Sequence, residues 1–261
     1  MTGFREQFRA AVREGLARAG ESPLVTEADL EFLPAPVARH LRRCGAVGRP
    51  RVRNLRARFT GEFRNGLKGA WMHFQAEQYD FFDAPARFFL MRASRFGLPI
   101  HALHLFRGPG ASFRVKLAGL FPVVDAVGPE LEQSETVTFF NDLCVLAPAA
   151  LIDRHRIAWE EAGPSAARAT FTHQGRSISA LLSFNASGDL AGFSSGDRYL
   201  SADGRTFKSV PWSTPVQDYR DFAGRRAPAC GEAIWHLTGG EYCYGRFRLA
   251  GLEYNVRNLI E

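Results

Sequence analysis

Segment 192–196 reads Gly-Phe-Ser-Ser-Gly and fits the G-x-S-x-G pattern that carries the nucleophile of many serine hydrolases. In those enzymes the serine stands on a sharp turn between a strand and a helix. The residues that follow this segment, 197–204, have the composition of a loop and show no helical stripe. We therefore expect the match to be a chance occurrence in a turn rich in glycine and serine.

Two histidines, His101 and His104, are three residues apart, a spacing that suits two metal ligands on a helix. The alternating pattern around them predicts a strand instead, on which residues three apart point to opposite faces. The four cysteines of the chain form no CxxC pair. We therefore predict no metal site and no cofactor.

Carboxylates and amides are concentrated in the middle of the chain, at Glu132, Glu135, Asn141 and Asp142. A carboxylate such as Glu135 or Glu232 next to a histidine would suit proton transfer in a hydrolase or an isomerase. In the simpler interpretation, the acids stabilise the positive N-terminal end of a helix and the last two residues cap it or pair locally. No catalytic residue is assigned, and a non-enzymatic function is favoured.

The elements that must position these groups begin with two predicted helices. Apolar residues recur every four positions between charged ones, which indicates an amphipathic helix, at Phe4, Phe8, Val12 and Leu16. A second helix is predicted to begin at Pro36 and to end at Gly45. Residues 1–50 are therefore predicted to form an N-terminal helical segment.

After this segment the period changes to two. Apolar and polar residues alternate over 53–63, and strand patterns recur along the rest of the chain, about ten to twelve in all. A helical period interrupts them once, near residues 130–152. Strands and helices do not alternate regularly, so a doubly wound parallel sheet is not expected. We predict a single antiparallel β-rich domain over residues 51–261.

The fold class predicted from this order is α+β, mainly antiparallel β. A long antiparallel sheet with one wet face must bury its other face. A curved half-barrel with the helices on its concave face achieves this, and a β-sandwich is the alternative.

The composition is typical of a globular protein, with 46% hydrophobic and 23% charged residues. Thirty of the 33 basic residues are arginines, which alternate with apolar residues along the predicted strands and are interleaved with 27 acids. We interpret them as a solvated sheet face and expect no nucleic-acid partner. The basic first helix is expected to dock on the sheet, and peripheral contact with a membrane is the alternative.

No apolar run approaches the roughly 20 residues that span a bilayer. Charged residues interrupt the first twenty positions, where a signal peptide would be apolar. The expected location of the protein is the cytoplasm.

The C-terminal third carries the densest pattern of aromatic and charged residues. It contains Asp-Arg-Tyr at 197–199, Pro-Trp-Ser-Thr-Pro at 211–215, Asp-Tyr-Arg at 218–220, Gly-Glu-Ala-Ile-Trp at 231–235 and Tyr-Cys-Tyr at 242–244. With Phe-Phe-Asn-Asp at 139–142 and Pro148, these segments resemble an uncharacterised bacterial domain-of-unknown-function family, from about residue 33 to the C-terminus. The order of strands and helix is similar to that of lipoprotein-carrier-like (LolA-like) half-barrels, in which a curved sheet wraps helices around an apolar cavity. The family resemblance implies no activity.

Four tryptophans and 22 phenylalanines are more than a thin core of sheet and helices needs. Surplus aromatics on a concave face are typical of apolar ligand pockets, although core packing is the simpler role. We therefore predict a protein that binds an apolar or amphiphilic, lipid-like small molecule between sheet and helices. The alternatives are a hydrolase or isomerase in the same cavity and a basic surface binder of nucleic acid or membrane. The candidate ligand-binding residues are Phe139, Phe140, Arg198, Trp212, Tyr219, Glu232 and Trp235.

Overall fold

Thirteen strands form one antiparallel sheet in the computed structural model, which describes residues 3–18, 20, 22–201 and 203–260. The first six strands are β1 Asn54–Phe63, β2 Met72–Phe81, β3 Ala86–Arg95, β4 Leu98–Arg107, β5 Gly110–Leu117 and β6 Phe121–Val127. The later strands of the sheet are β7 Ile157–Glu161, β8 Ala166–His173, β9 Arg176–Phe184, β10 Leu190–Ser195, β13 Trp212–Phe222, β14 Arg225–Leu237 and β15 Gly240–Tyr254. Two short strands, β11 Tyr199–Leu200 and β12 Lys208–Ser209, pair with each other outside this sheet.

The order across the sheet is β6-β5-β4-β3-β2-β1-β15-β14-β13-β10-β9-β8-β7. Each half is a meander of neighbouring strands, and the pairing of β1 with β15 joins the two halves. The edge strands β6 and β7 are not paired with each other, so the sheet is open.

Three α-helices accompany the sheet: α1 Phe4–Leu16, α2 Ala35–Arg43 and α3 Pro129–Leu146. Short 3-10 turns span Glu27–Leu30 and Pro148–Ile152. The helix α3 contacts β5 and β6 near one edge of the sheet and β9 and β10 near the other, so the sheet curves around it. The predicted fold class, a mainly antiparallel half-barrel, is confirmed, with a few more strands than expected. None of the described helices combines the length and the apolarity needed to cross a membrane.

The sheet has an inner face, which packs on α3, and an outer face, which bears α1. Successive residues of a strand alternate between these faces. Leu55 and Ala57 of β1 belong to the inner core, whereas Tyr79 of β2 and Phe88 of β3 pack beneath α1. The expected docking of α1 on the sheet is thus confirmed, but it occurs on the face opposite α3. Both faces of the sheet are buried near α1, because inner and outer residues of β2 and β3 are buried alike.

The helix α3 is buried around most of its circumference, since the sheet reaches it from several sides. Phe139 and Phe140 are completely buried, and the ring of Phe140 stacks on that of Phe171 with centroids 5.0 Å apart. A helix enclosed in this way carries no single apolar stripe. The helix ends at Leu146, before Pro148, and the chain continues as a 3-10 turn.

Gly61 allows the closest approach between β1 and its neighbours. A Cβ atom at this position would lie 2.0 Å from the backbone oxygen of Arg246 and 2.9 Å from the ring of Phe74. The ring can move, but the backbone of β15 is held by its pairing with β1 and β14. Glycine is therefore required where the two halves of the sheet join.

We expect the substitution Gly61→Ala to lower the free energy of unfolding by about 1–3 kcal/mol, because an extra methyl group must force the strands apart. Urea denaturation measures this loss. Gly239→Ala is the matched control, since nothing lies within 4 Å of the Cβ position there and its φ is not left-handed. Equal unfolding midpoints for the two variants would contradict the close approach at Gly61.

Candidate functional site

A group of charged side chains lies between α3 and the inner face of β2, β3 and β4. Glu135 and Asp142 are seven residues apart on α3, so they lie on one side of the helix, two turns apart. Arg87 of β3 joins them: its Nη1 donates to Glu135 Oε2 at 3.3 Å and its Nε donates to Asp142 Oδ2 at 2.7 Å. We call the group Gln78, Asp80, Arg87, His104, Glu135 and Asp142 the inner polar cluster.

Strand register brings the sheet members of this cluster together. Asp80 pairs with Arg87 across β2 and β3, and two residues further along the face Gln78 pairs with Phe89, which in turn pairs with His104. The Gln78 side-chain amide donates to Asp80 Oδ2 and to Asp142 Oδ2, at 2.8 Å each, and accepts from Arg87 Nη2 at 3.2 Å. The cluster is therefore a connected network rather than a set of separate pairs.

Burial and charge act in opposite directions on these groups. Burial would raise the pKa of Glu135, but His104, Arg87 and Arg198 outweigh it and lower the pKa from 4.5 to about 2. Burial and the neighbouring Asp142 raise the pKa of Asp80 well above its usual value. Asp80 Oδ1 is buried without a hydrogen-bond partner, and the protonated form lowers the cost of this burial.

His104 lies at the margin of the cluster. Its Nδ1 is 3.3 Å from Glu135 Oε1, and its ring stacks on that of Phe113 with centroids 3.9 Å apart. Burial lowers the pKa of His104 although Glu135 favours the protonated ring, so the imidazole is neutral near pH 7. His101 pairs with Arg92 and Lys116 and points to the outer face, as the strand prediction required.

Arg198 forms a second polar feature, between two indole rings. Its guanidinium carbon lies 4.3 Å from the ring centroid of Trp212 and 5.0 Å from that of Trp235. Its Nη1 donates to the hydroxyl of Tyr244 at 2.9 Å, and Trp212 Nε1 donates to the same oxygen at 3.2 Å. The rings are adjacent because Trp212 and Trp235 are directly paired in β13 and β14.

The guanidinium of Arg198 is not neutralised by an ion pair. Among the residues that the structure describes, no carboxylate oxygen lies within salt-bridge distance of it. Its Nε atom is buried and has no hydrogen-bond partner. Arg198 thus differs from Arg87, which contacts two carboxylates.

Partly exposed apolar side chains continue the inner face beyond the two polar features. These residues, which we call the apolar strip, are Phe59, Phe63, Met91, Phe113 and Phe247. The ring of Phe247 lies 6.0 Å from that of Phe59 and 5.2 Å from that of the buried Phe74. The inner side of the sheet therefore combines a cation that makes no salt bridge with apolar surface that the core does not fully cover.

The structure brings together three of the seven predicted site residues, Arg198, Trp212 and Trp235. Phe139 and Phe140 lie in the core of α3, fully buried. Tyr219 lies beside α2, where its hydroxyl donates to the backbone oxygen of Leu190 at 3.0 Å. Phe139, Phe140 and Tyr219 therefore lie away from Arg198 and pack within the protein.

Glu232, the seventh, lies on the outer face, 3.3 Å from Arg246. It lines a cleft of about 900 Å³ that crosses six strands, from β3 to β13. The inner-facing side chain of Phe74 is buried, while its neighbours His73 and Gln75 line the cleft and are exposed. The cleft therefore opens on the face opposite Arg198.

The G-x-S-x-G segment has no elbow geometry. Ser194 lies within β10 and is paired with Leu181 on one side and Ser213 on the other. The residues after it form a bend and the short strand β11, and no helix begins there. In the described part of the chain, no group of three or more His, Cys, Asp or Glu side chains is arranged to hold a metal ion.

Sequence reasoning missed Gln78, Asp80, Arg87 and His104 as members of one site, and it assigned Asp142 only a local role. The alternation along β2 does indicate that two of them, Gln78 and Asp80, face inward. Apolar Phe74 and Ala76 alternate with polar neighbours in the sequence, and continuing the same alternation places Gln78 and Asp80 on the buried face. Polar residues at inward positions indicate a buried network, but the period does not say which groups meet.

An open antiparallel sheet wrapped around one buried helix, with polar groups on its inner face, defines this chain as a half-barrel of the α+β class. The chain belongs to a family of unknown function (DUF6544), whose model matches residues 23–247. The family resemblance expected from the sequence is thereby confirmed. No curated protein sequence matches the chain significantly.

Three solved structures are similar at low identity. A Vibrio parahaemolyticus domain described as an outer membrane lipoprotein-sorting protein is 10% identical with a TM-score of 0.43, and the match covers 77% of this chain and 85% of that one. A LolA superfamily protein from Nitrosomonas europaea is 10% identical with a TM-score of 0.44, covering 84% and 93%. A DUF1329 family protein from Desulfovibrio piger is 12% identical with a TM-score of 0.41, covering 85% and 92%. These distant similarities assign no activity to this chain.

Replacing Arg87 with Met removes the cation that pairs two buried carboxylates. We expect a loss of about 3–5 kcal/mol in the free energy of unfolding near neutral pH. The deficit should shrink as the pH falls from about 4.5 toward 2, because Arg87 is one of the cations that lower the pKa of Glu135 and the stability gained through that carboxylate is lost when it is protonated. Urea denaturation across a pH series measures both effects.

Arg220→Met is the control, since Arg220 pairs with Asp218 at 2.6 Å on the surface. An exposed pair contributes at most about 1 kcal/mol. An Arg87→Met loss no larger than that of the control would contradict the role of the network, as would a deficit that grows toward acid pH.

Proposed function

We propose that this protein is a binding protein for an amphiphilic small molecule with an anionic head group, such as a fatty acid. The observation that carries the proposal is the guanidinium of Arg198, held between Trp212 and Trp235 with a buried, unpartnered Nε and, among the described residues, no carboxylate within salt-bridge distance. The anionic head would bind Arg198, and the apolar chain would lie along the apolar strip.

The chemistry of Arg198 favours an anion. A guanidinium donates two parallel hydrogen bonds to a carboxylate or a phosphate, and such charge-assisted bonds are stronger than neutral ones. The Tyr244 hydroxyl and the two indoles fix the plane of the guanidinium, so little conformational entropy is lost when a ligand binds. The buried Nε atom would gain the hydrogen bond that it lacks in the free protein.

The apolar strip supplies the rest of the ligand contact. Each member is only partly covered by the core, and together they span β5, β3, β1 and β15. Covering such side chains contributes roughly 25 cal/mol per Å² of apolar surface removed from water. A fatty acid is the simplest molecule that has both an anionic end and an apolar chain that can lie along the apolar strip.

Laurate and dodecanol separate the two contributions, because they have the same chain and differ in the head group. Displacement of the fluorescent probe 1-N-phenylnaphthylamine measures both affinities. We expect the wild-type protein to bind laurate about tenfold more tightly than dodecanol. Arg198→Met should abolish this preference while dodecanol binding stays, since Met keeps the apolar contact with the indoles.

Arg248→Met is the control, because Arg248 is exposed and lines the outer cleft, on the face opposite Arg198. It should leave the laurate preference intact. Equal binding of the two ligands by the wild-type protein, or a preference that survives Arg198→Met, would rule out the anion site. No binding of either ligand would reject the proposal as a whole.

Hydrolysis or isomerisation is the second candidate function, and the contact between Glu135 and His104 favours it. His104 keeps 20% of its side chain exposed, so it is the member of the pair that a substrate would reach. Turnover of nitrophenyl esters that is lost in Glu135→Gln and kept in Glu132→Gln would support this function. Turnover that survives Glu135→Gln would exclude Glu135 as the acid or base.

A further inference from the structure

Three hairpin tips of the first half-sheet lie at one end of the molecule. In an antiparallel meander every second connection falls on the same side, so the β1–β2, β3–β4 and β5–β6 turns share an end. Their segments are 64–71, 96–97 and 118–120. We call these segments, with the flanking residues Arg95, Leu98 and Phe121, the hairpin tips.

The hairpin tips expose large apolar side chains to solvent. Phe96 is 91% exposed, Leu120 76%, Phe121 65%, Leu67 53% and Leu98 49%. Isolated exposed hydrophobics are ordinary on a protein surface, but five on three adjacent tips form a group. A group of this kind is typical of an interaction surface.

A phenylalanine at position 96 does not stabilise the turn in which it lies. Phe96 has φ 51° and Gly97 has φ 77°, the combination of a type I′ turn, in which asparagine, aspartate or glycine is preferred at the first position. A phenylalanine there adopts a left-handed conformation at a cost and gains almost no burial in return. Its selection therefore points to a partner outside the described fold.

The charges of the hairpin tips are of one sign. They contain Arg64, Lys68 and Arg95 and no aspartate or glutamate. The guanidinium of Arg64 lies 4.7 Å from the ring centroid of Trp71, and that of Arg95 lies 5.3 Å from the ring of Phe96. Exposed aromatic and aliphatic groups beside cations match the interface of an anionic lipid bilayer, where aromatic rings sit at the level of the head groups.

The first helix does not offer the same surface. Its apolar residues pack on the outer face of the sheet, with Phe8 and Val12 buried against Tyr79 and its neighbours. Membrane contact through α1, the alternative raised by the sequence, would require that it leave this site. The hairpin tips are exposed without any rearrangement.

We propose that the hairpin tips dock this protein peripherally on an anionic lipid bilayer. The tips insert their apolar side chains between head groups, and the three cations contact the lipid phosphates. This inference goes beyond the anion site at Arg198 and does not depend on it. Its test is therefore independent of ligand binding.

Flotation with vesicles of phosphatidylcholine, alone or mixed with phosphatidylglycerol, measures the binding. We expect the protein to float with the mixed vesicles and to be released by salt, because exposed charges are screened. Phe96→Asn should weaken binding about tenfold, since a phenylalanine side chain no longer enters the interface. Asparagine suits the type I′ turn, so the variant should unfold at the same temperature as the wild type or higher.

Val127→Ser is the matched control, because Val127 is 65% exposed, like Phe121, and lies at the opposite end of β6. It should bind as the wild type does. Absence of wild-type binding to the mixed vesicles, or equal losses in Phe96→Asn and Val127→Ser, would overturn the proposal. Self-association that depends on Phe96, seen by analytical ultracentrifugation, would replace the bilayer with a second copy and overturn it as well. Phe96→Asn should keep its laurate affinity in solution, which separates failure of docking from failure of ligand binding.

Discussion

The ionic contact of Arg87 with Glu135 and Asp142 is the constraint on which the interior of this protein depends. The sheet wraps α3, so carboxylates on that helix enter a region that water does not reach. A buried carboxylate without a partner costs several kcal/mol. The helix can therefore occupy only the position and rotation at which both carboxylates meet Arg87. A purely apolar helix surface would allow it to slide or turn, and the network thus fixes α3 against β2 and β3.

This constraint also explains why the inner face is not uniform. The part of the face under α3 is polar and linked by hydrogen bonds and ion pairs, while the apolar strip and Arg198 form no hydrogen bond with this network. Two arginines of the same face therefore have different roles. Arg87 pairs with two carboxylates and holds the fold, whereas Arg198 makes no salt bridge and lies between the aromatic faces of Trp212 and Trp235. Composition alone does not show which of the thirty arginines pair with carboxylates and which do not, since both roles use the same side chain.

The period of the sequence was sufficient to predict the mainly antiparallel sheet, the mid-chain helix and the docking of the first helix. Three of the seven candidate ligand-binding residues named from the sequence, Arg198, Trp212 and Trp235, lie together in the structure. The period of the sequence does not predict contacts between residues far apart in the chain. Examples are the pairing of β1 with β15 and the contact of Glu135 with His104, which depends on tertiary packing. Alternation shows to which face a residue points, but it does not show which residue lies opposite. For that reason the sequence left Phe139 and Phe140 as candidates for a pocket, although they lie in the core.

The residues most informative about function are those that stability does not explain. Arg198 carries a charge into an aromatic site without a salt bridge, although a neutral residue would bury there at lower cost. Phe96 occupies a left-handed turn position with its ring in water, although asparagine would suit the turn better. Each choice raises the free energy of the isolated molecule. An anion at the first position and a lipid interface at the second would each lower it again, so both residues indicate partners that the folded chain alone does not contain.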